Sequence, residues 1–162
     1  MRPCALILST VFTATAGLAP TATAQMNPRG EAKVTLAGKP IVVDYGRPSL
    51  KGRDMLGKAA VGDEWRMGAD GATTLQTPVS LTFGTGVLAP GNYVLRAKKA
   101  SATDWMLLVQ KDGKTAAEAP LKASPLETSV EVFTIDLVED KGAGIFRMSW
   151  GNVVLSTPFT AK

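Results

Sequence analysis

Apolar residues occupy every second position through most of this chain. In the run "VSLTF", Val79, Leu81 and Phe83 alternate with Ser80 and Thr82. Successive side chains of a β-strand point to opposite faces of the sheet, so this period indicates strands with one buried face. Comparable runs lie at residues 33–38, 41–45, 92–98, 105–110, 129–138, 145–150 and 152–156. The period therefore predicts an all-β fold.

Short segments rich in glycine, asparagine and aspartate separate these runs, as expected for hairpins and short loops. The clearest of them lie at residues 37–39, 89–92, 111–114 and 140–144. About eight or nine strands joined in this way predict an antiparallel β-sandwich, with a partly open β-barrel as the alternative.

Three places depart from the regular alternation. Residues 53–60 are expected to hold one short helical turn, and residues 115–123 are a second possible helical segment that Pro120 interrupts. In the run 129–138 the apolar phase slips between Val132 and Phe133. A slip of one position within a strand predicts a β-bulge.

The first 24 residues have the pattern of a cleaved secretory signal peptide. Arg2 supplies a positive charge, residues 5–19 are apolar, and "ATA" at residues 22–24 fits a cleavage site between small residues. The apolar stretch is shorter than the roughly 20 residues that cross a bilayer. Cys4 precedes this stretch, whereas a lipid-bearing cysteine follows one. We therefore expect an exported protein, periplasmic or secreted, without a stable membrane anchor.

Residues 25–162 are expected to form a single domain after cleavage, and they contain no histidine and no cysteine. They cannot form a Ser-His-Asp triad, a thiol nucleophile or an imidazole or thiolate metal site, and we expect no metal, cofactor or catalytic residue. The formal net charge of the whole chain is only +4. Because nucleic-acid binders usually carry a clustered basic face, nucleic acid is not an expected partner.

The segment "YGRPSLKGR" places Arg47, Lys51 and Arg53 around Pro48 in a stretch without strand periodicity. An irregular segment has many backbone groups to satisfy. The planar guanidinium group suits bonding to several carbonyl oxygens or to one carboxylate. One interpretation is that the arginines pin this segment to the sandwich. The other is that some of them converge on a small anionic or polar ligand.

The continuation "GDEWRMGADGATTL" adds further candidate groups. Arg66 would add charge, Asp70 and Thr74 would add hydrogen-bonding groups, and Trp65 would form the wall of a groove beside Arg66. The other large aromatics lie on apolar faces of the runs and are predicted to pack in the core: Tyr45, Tyr93, Trp105 and Trp150. The candidate ligand-binding residues are Arg47, Lys51, Arg53, Trp65, Arg66, Asp70 and Thr74.

These two segments, with "LAPGNYVL" and "DWMLLVQKD", resemble the exported bacterial family catalogued as domain of unknown function 2911. The shared elements are an R-P-S-x-K-G-R loop from Arg47, a W-R-x-G-A segment from Trp65, a P-G-x-Y hairpin and a following tryptophan. The likeness covers about residues 30–156. It implies a predominantly β, exported domain and no established activity. Asp70–Gly71 departs from the Asn-Glu of the pattern, and Met67 stands where threonine is usual.

We therefore expect an exported, non-catalytic β-sandwich whose arginine-rich segment, residues 47–74, caps one end of the sheets and either pins irregular backbone or binds a small anionic or polar ligand. Two alternatives remain open. One is a carboxylate-dependent enzyme acting on envelope glycans, because its two acids need only be close in space. The other is a protein-interaction module of the cell envelope that uses an exposed strand edge or apolar patch.

Overall fold

The computed structural model describes residues 26–162, and the predicted signal peptide lies outside these residues. Ten β-strands follow one another along this part of the chain: β1 (Arg29–Leu36), β2 (Lys39–Gly46), β3 (Glu64–Trp65), β4 (Thr74–Thr77), β5 (Leu81–Phe83), β6 (Gly86–Leu88), β7 (Gly91–Lys99), β8 (Trp105–Lys111), β9 (Lys114–Asp140) and β10 (Ala143–Ala161). No helix in residues 26–162 is long and apolar enough to cross a membrane.

The strands pair antiparallel in the order β1-β2-β4-β7-β8-β9-β10-β5-β6, and β3 pairs with β7 on the same edge as β4. The long β9 pairs with β8 through residues 114–121 and with β10 through residues 122–140, so it passes from one layer to the other. β1 also packs against β9 without pairing to it. The two ends of the order, β1 and β6, do not pair with each other. The prediction of an all-β, sandwich-like fold is confirmed.

The alternating residues of the strands form one continuous core between the layers. Ile41 and Val43 of β2, Leu95 of β7 and Leu107 of β8 have no exposed surface. The facing layer contributes further fully buried side chains, including Phe133. Removing such apolar area from water stabilises the fold by roughly 25 cal/mol per Å². Packing of this core is therefore what holds a domain without disulfides together.

Three of the predicted turns form tight two-residue hairpins. Each has two successive residues at positive φ: Ala37–Gly38, Asp112–Gly113 and Lys141–Gly142. Two central residues at positive φ match the twist of the flanking strands better than ordinary turns do. These hairpins set the register of β1 with β2, of β8 with β9, and of β9 with β10.

The structure differs from the sequence pattern where strands are short or their period is hidden. β3, β4 and β6 have two to four residues each, too few to show a period. The alternation therefore predicted about eight or nine strands, whereas the structure has ten. Residues 115–123 are extended in β9, with Pro120 opposite Met106. The helical turn predicted within residues 53–60 is not a helix, and residues 55–58 form hydrogen-bonded turns instead.

The predicted bulge in β9 is confirmed. Ser149 pairs with Thr134 but Gly151 pairs with Val130, so the register of β9 with β10 shifts across residues 131–133. Gly151 has a φ of 66°, a backbone conformation that glycine adopts without steric cost. The bulge therefore removes residues 131–133 from pairing with β10.

Candidate functional site

The loop that joins β2 to β3, residues 47–63, is attached to the bulge of β9. The backbone N–H of Leu50 donates to the carbonyl oxygen of Glu131 at 2.9 Å, and that of Phe133 donates to the carbonyl oxygen of Pro48 at 2.9 Å. Ser49 forms an isolated bridge with Val132 between these bonds. The backbone groups that β9 withdraws from β10 are thus satisfied by this crossing loop. Its first four residues are part of the scaffold.

The far end of the crossing loop is attached to β7. The backbone N–H of Gly62 donates to the carbonyl oxygen of Lys99 at 2.8 Å, and the N–H of Lys99 donates to the carbonyl oxygen of Asp63 at 3.0 Å. Between its two attachments the loop inserts Leu56, which is only 6% exposed, into the core. The loop is therefore a covering segment with fixed ends.

Two of the predicted arginines are engaged locally. Arg47 is half-buried against Gly30, and its Nη2 donates to Oγ1 of Thr134 at 3.4 Å. Arg66 is exposed, and its Nη1 donates to the carbonyl oxygen of Asp70 at 3.0 Å. The Arg66 bond corresponds to the interpretation in which arginine holds irregular backbone, whereas Arg47 reaches a β9 side chain and its buried Nε has no partner in residues 26–162.

The remaining polar candidates lie on the outside of the fold. Lys51 has an exposed side chain, and its backbone N–H donates to the carboxylate of Glu131 at 2.9 Å. Asp70 accepts hydrogen bonds from the backbone and side chain of Asn27, the first at 2.7 Å. Thr74 begins β4 and is exposed. The structure does not bring these three residues into a common cavity.

Arg53 and Trp65 do line one cavity, which has a volume of about 410 Å³. Trp105 and Trp150 line the same cavity, so all three tryptophans of the chain meet there. They come from three strands that are far apart in sequence, β3, β8 and β10. The opposite wall is formed by Met55, Leu56 and Ala59 of the crossing loop. We call this cavity the tryptophan pocket.

The aromatic wall is held rigidly from behind. The rings of Trp65 and Trp150 stack with their centroids 5.3 Å apart and an interplanar angle of 13°. Phe133 meets both rings edge-on, with centroid distances of 4.9 Å to Trp65 and 5.6 Å to Trp150. Trp65 is half-buried, whereas Trp105 and Trp150 are buried at 4% and 5% exposure. The pocket thus presents a packed aromatic surface, on which Trp65 is the most accessible tryptophan.

The third tryptophan carries a cation on its ring. Nζ of Lys99 lies 4.8 Å from the centroid of Trp105, a cation–π distance, and Lys99 itself is only 8% exposed. Lys99 is not among the residues that line the pocket, so this contact holds the Trp105 ring in place.

Charged side chains of both signs line the rest of the pocket. The cations are Arg53 and Lys58, and the acidic residues are Asp54, Asp63 and Glu64. The Glu64 carboxylate pairs with Arg96 at 3.5 Å and lies on the opposite face of β3 from Trp65, because neighbouring residues of a strand point to opposite faces. The other four form no ion pair within the part of the chain that the structure describes.

Single hydrogen bonds fix three of these groups. Asp54 accepts from the N–H of Gly57 at 2.8 Å, and Asp63 accepts from the N–H of Ala60 at 2.9 Å. Nε of Arg53 donates to the carbonyl oxygen of Leu50 at 3.0 Å. Each group keeps further hydrogen-bonding capacity, because a carboxylate accepts about four bonds and a guanidinium donates five. The arrangement is suited to holding a small polar molecule against an apolar wall.

No group of three or more histidine, cysteine, aspartate or glutamate side chains that could hold a metal ion occurs in residues 26–162. Of the predicted site residues, only Arg53 and Trp65 are brought into the tryptophan pocket. The sequence missed Trp105 and Trp150 as pocket residues, because their apolar positions on strands indicated only burial. It missed Asp54, Lys58 and Asp63 because nothing in a loop sequence shows which way its charges face.

Fold and pocket together define an antiparallel β-sandwich domain in which a long loop covers an aromatic cavity with a charged lining. The chain belongs to the family described as protein of unknown function (DUF2911), whose model matches residues 27–159. This match confirms the resemblance noted from the sequence motifs. No curated protein and no solved structure shows significant similarity to the chain.

Proposed function

We propose that this protein is an exported, non-catalytic binding domain that holds a small polar ligand in the tryptophan pocket. The observation that carries the proposal is the convergence of all three tryptophans on one cavity. Aromatic walls with a few polar groups are the usual composition of small-molecule sites, and about 410 Å³ lies within their common range of about 300–1,000 Å³. Export is proposed from the signal-like residues 1–24 alone.

The site proposed here is narrower than the whole arginine-rich segment. Arg53 and Trp65 remain binding residues, with Arg53 as a hydrogen-bond donor and Trp65 as the apolar wall. Arg47 and Arg66 are assigned to the scaffold, because Arg47 donates to the Thr134 hydroxyl and Arg66 to the carbonyl oxygen of Asp70. The ligand therefore meets the second half of the crossing loop, not its "RPS" start.

Binding is tested by thermal unfolding of the purified protein with panels of sugars, organic acids, phosphates and amines. At a concentration 100 times its dissociation constant, a ligand of the native state adds about 2.7 kcal/mol to stability. We expect at least one class to raise the Tm of the wild type by several degrees. The Trp65→Ala variant should lose this shift, because the accessible aromatic wall is gone.

Two further variants keep the test decisive if Trp65→Ala folds poorly. Ala59→Phe fills the pocket from the loop side and should also abolish the shift. Val87→Ala, at a residue that is 69% exposed in β6 and outside the pocket, should retain it in full. An unchanged shift in Ala59→Phe, or no stabilisation of the wild type by any class, would contradict the proposal.

A second candidate function is favoured by one observation, the presence of Asp54 and Asp63 in the lining of the same pocket. Glycoside hydrolysis requires two carboxyl groups on either side of the bond that is cleaved. The bound compound recovered after long incubation separates the two functions. Unchanged compound supports binding alone, whereas conversion that Asp54→Asn or Asp63→Asn abolishes supports the enzyme.

A further inference from the structure

The charged lining of the tryptophan pocket restricts the chemistry of its ligand. Carboxylates only accept hydrogen bonds, and the side chains of Arg53 and Lys58 only donate them. The pocket offers both kinds in equal number, because Asp54 and Asp63 stand beside Arg53 and Lys58 while Glu64 is paired with Arg96. A hydroxyl group is both a donor and an acceptor, so a molecule with several hydroxyls can bond to both kinds of group at once.

Ligands with a large net charge are disfavoured in this pocket. An anion would lie beside the carboxylates of Asp54 and Asp63, and like charges at short range repel. A quaternary ammonium ion would approach Arg53 and Lys58, which line the pocket. A neutral ligand avoids both conflicts.

The aromatic wall adds a requirement for shape. Trp65 is backed by the stacked ring of Trp150 and by the edge of Phe133, so its position is fixed before a ligand arrives. Binding of a ring against a preorganised indole costs the protein little side-chain entropy. The face of a sugar ring is formed by C–H groups, which pack on an aromatic ring, while its hydroxyls point outward toward polar partners.

We infer that the ligand of the tryptophan pocket is a neutral sugar. Its ring packs on Trp65, and its hydroxyls donate to Asp54 and Asp63 and accept from Arg53. This inference rests on the proposed binding function and specifies the ligand class for the same pocket. It departs from the anionic ligand that the arginine-rich sequence suggested, because two carboxylates, Asp54 and Asp63, offset the two cations of the lining.

Tryptophan fluorescence measures the inference directly, since every tryptophan of the chain lines the pocket. The purified protein is titrated with glucose, N-acetylglucosamine and cellobiose as neutral probes. Galacturonate and inorganic phosphate serve as anionic probes, and choline serves as a cationic probe. We expect a saturable change in emission with at least one neutral sugar. The charged probes should produce none at the same concentration.

Two lining variants and two matched controls assign the polar contacts. Asp63→Asn keeps an acceptor for the N–H of Ala60 but removes the charge, and Arg53→Gln removes the guanidinium. Each should weaken sugar binding about tenfold, since hydrogen bonds to charged groups contribute more than neutral ones. Asp136→Asn and Arg147→Gln remove the same charges from exposed positions on β9 and β10, outside the pocket. Both controls should bind sugar as the wild type does.

The outcomes separate the two levels of the proposal. Saturable binding of a neutral sugar, weakened by both lining variants and by neither control, supports the inference. Binding of phosphate, galacturonate or choline without any sugar overturns the sugar assignment and leaves the binding function standing. Sugar binding that is insensitive to both Asp63→Asn and Arg53→Gln also overturns it. Failure of every probe, together with no thermal stabilisation by any class, overturns both.

Discussion

Replacing Phe133 with alanine is expected to lower the free energy of unfolding by about 4 kcal/mol, measured by urea denaturation. Phe133 has no exposed surface and meets the rings of Tyr45, Trp65 and Trp150 edge-on. Its removal would leave a cavity behind the aromatic wall, and the loss of packing adds to the lost transfer free energy. Because Phe133 supports Trp65, ligand affinity should fall as well.

A graded pair of variants checks the physical cause. Phe133→Leu retains most of the buried volume and should cost clearly less than Phe133→Ala. Val87→Ala, on an exposed strand, should change stability by no more than about 0.5 kcal/mol. A loss below about 1 kcal/mol for Phe133→Ala would show that this ring does not support the core as the structure indicates.

Replacing Gly46 with alanine is expected to cost about 3 kcal/mol or more, through overlap with backbone. A Cβ built on Gly46 would overlap the carbonyl oxygen of Ala69 and lie 2.9 Å from its backbone nitrogen. A Cβ on Gly68 would lie 2.9 Å from the carbonyl oxygen of Gly46. The "YGRPS" and "WRMGAD" motifs therefore touch backbone to backbone at these glycines. Backbone atoms cannot move aside as the end of a flexible side chain can.

Gly71→Ala is the matched control for this substitution. The group closest to a Cβ built there is the end of the Arg29 side chain, with Nη1 at 2.9 Å, and that side chain can move aside. We expect its effect on the urea midpoint to be small, within about 0.5 kcal/mol. If Gly46→Ala unfolds at the same urea concentration as Gly71→Ala, this result contradicts the backbone contact between the two motifs.

The period of two was sufficient to predict the layers and most of the long strands. Runs such as the one containing Leu81 and Phe83 are buried on alternate residues as expected. The phase slip at Val132–Phe133 predicted the bulge correctly. It did not show that the crossing loop is attached to this bulge. β3 and β6 escaped prediction because two or three residues carry no period.

The candidate site was predicted only in part, and for a physical reason. A sequence shows that Arg47, Arg53 and Arg66 are close along the chain, but the direction of each guanidinium depends on which carbonyl oxygen it reaches. Arg53 bonds backwards to Leu50, three residues away, and lies in the pocket. The aromatic wall depends on pairing between distant strands. No local pattern shows that Trp105 and Trp150 reach the same cavity as Trp65.

The central claim is that a ligand binds where the three tryptophans meet. Protein labelled with 5-fluorotryptophan has three fluorine signals, one for each tryptophan of the chain. Titration with whichever compound stabilises the protein in thermal unfolding should shift all three signals with one common dissociation constant. A compound that stabilises the protein yet leaves the three signals unchanged would place its site elsewhere and contradict the account.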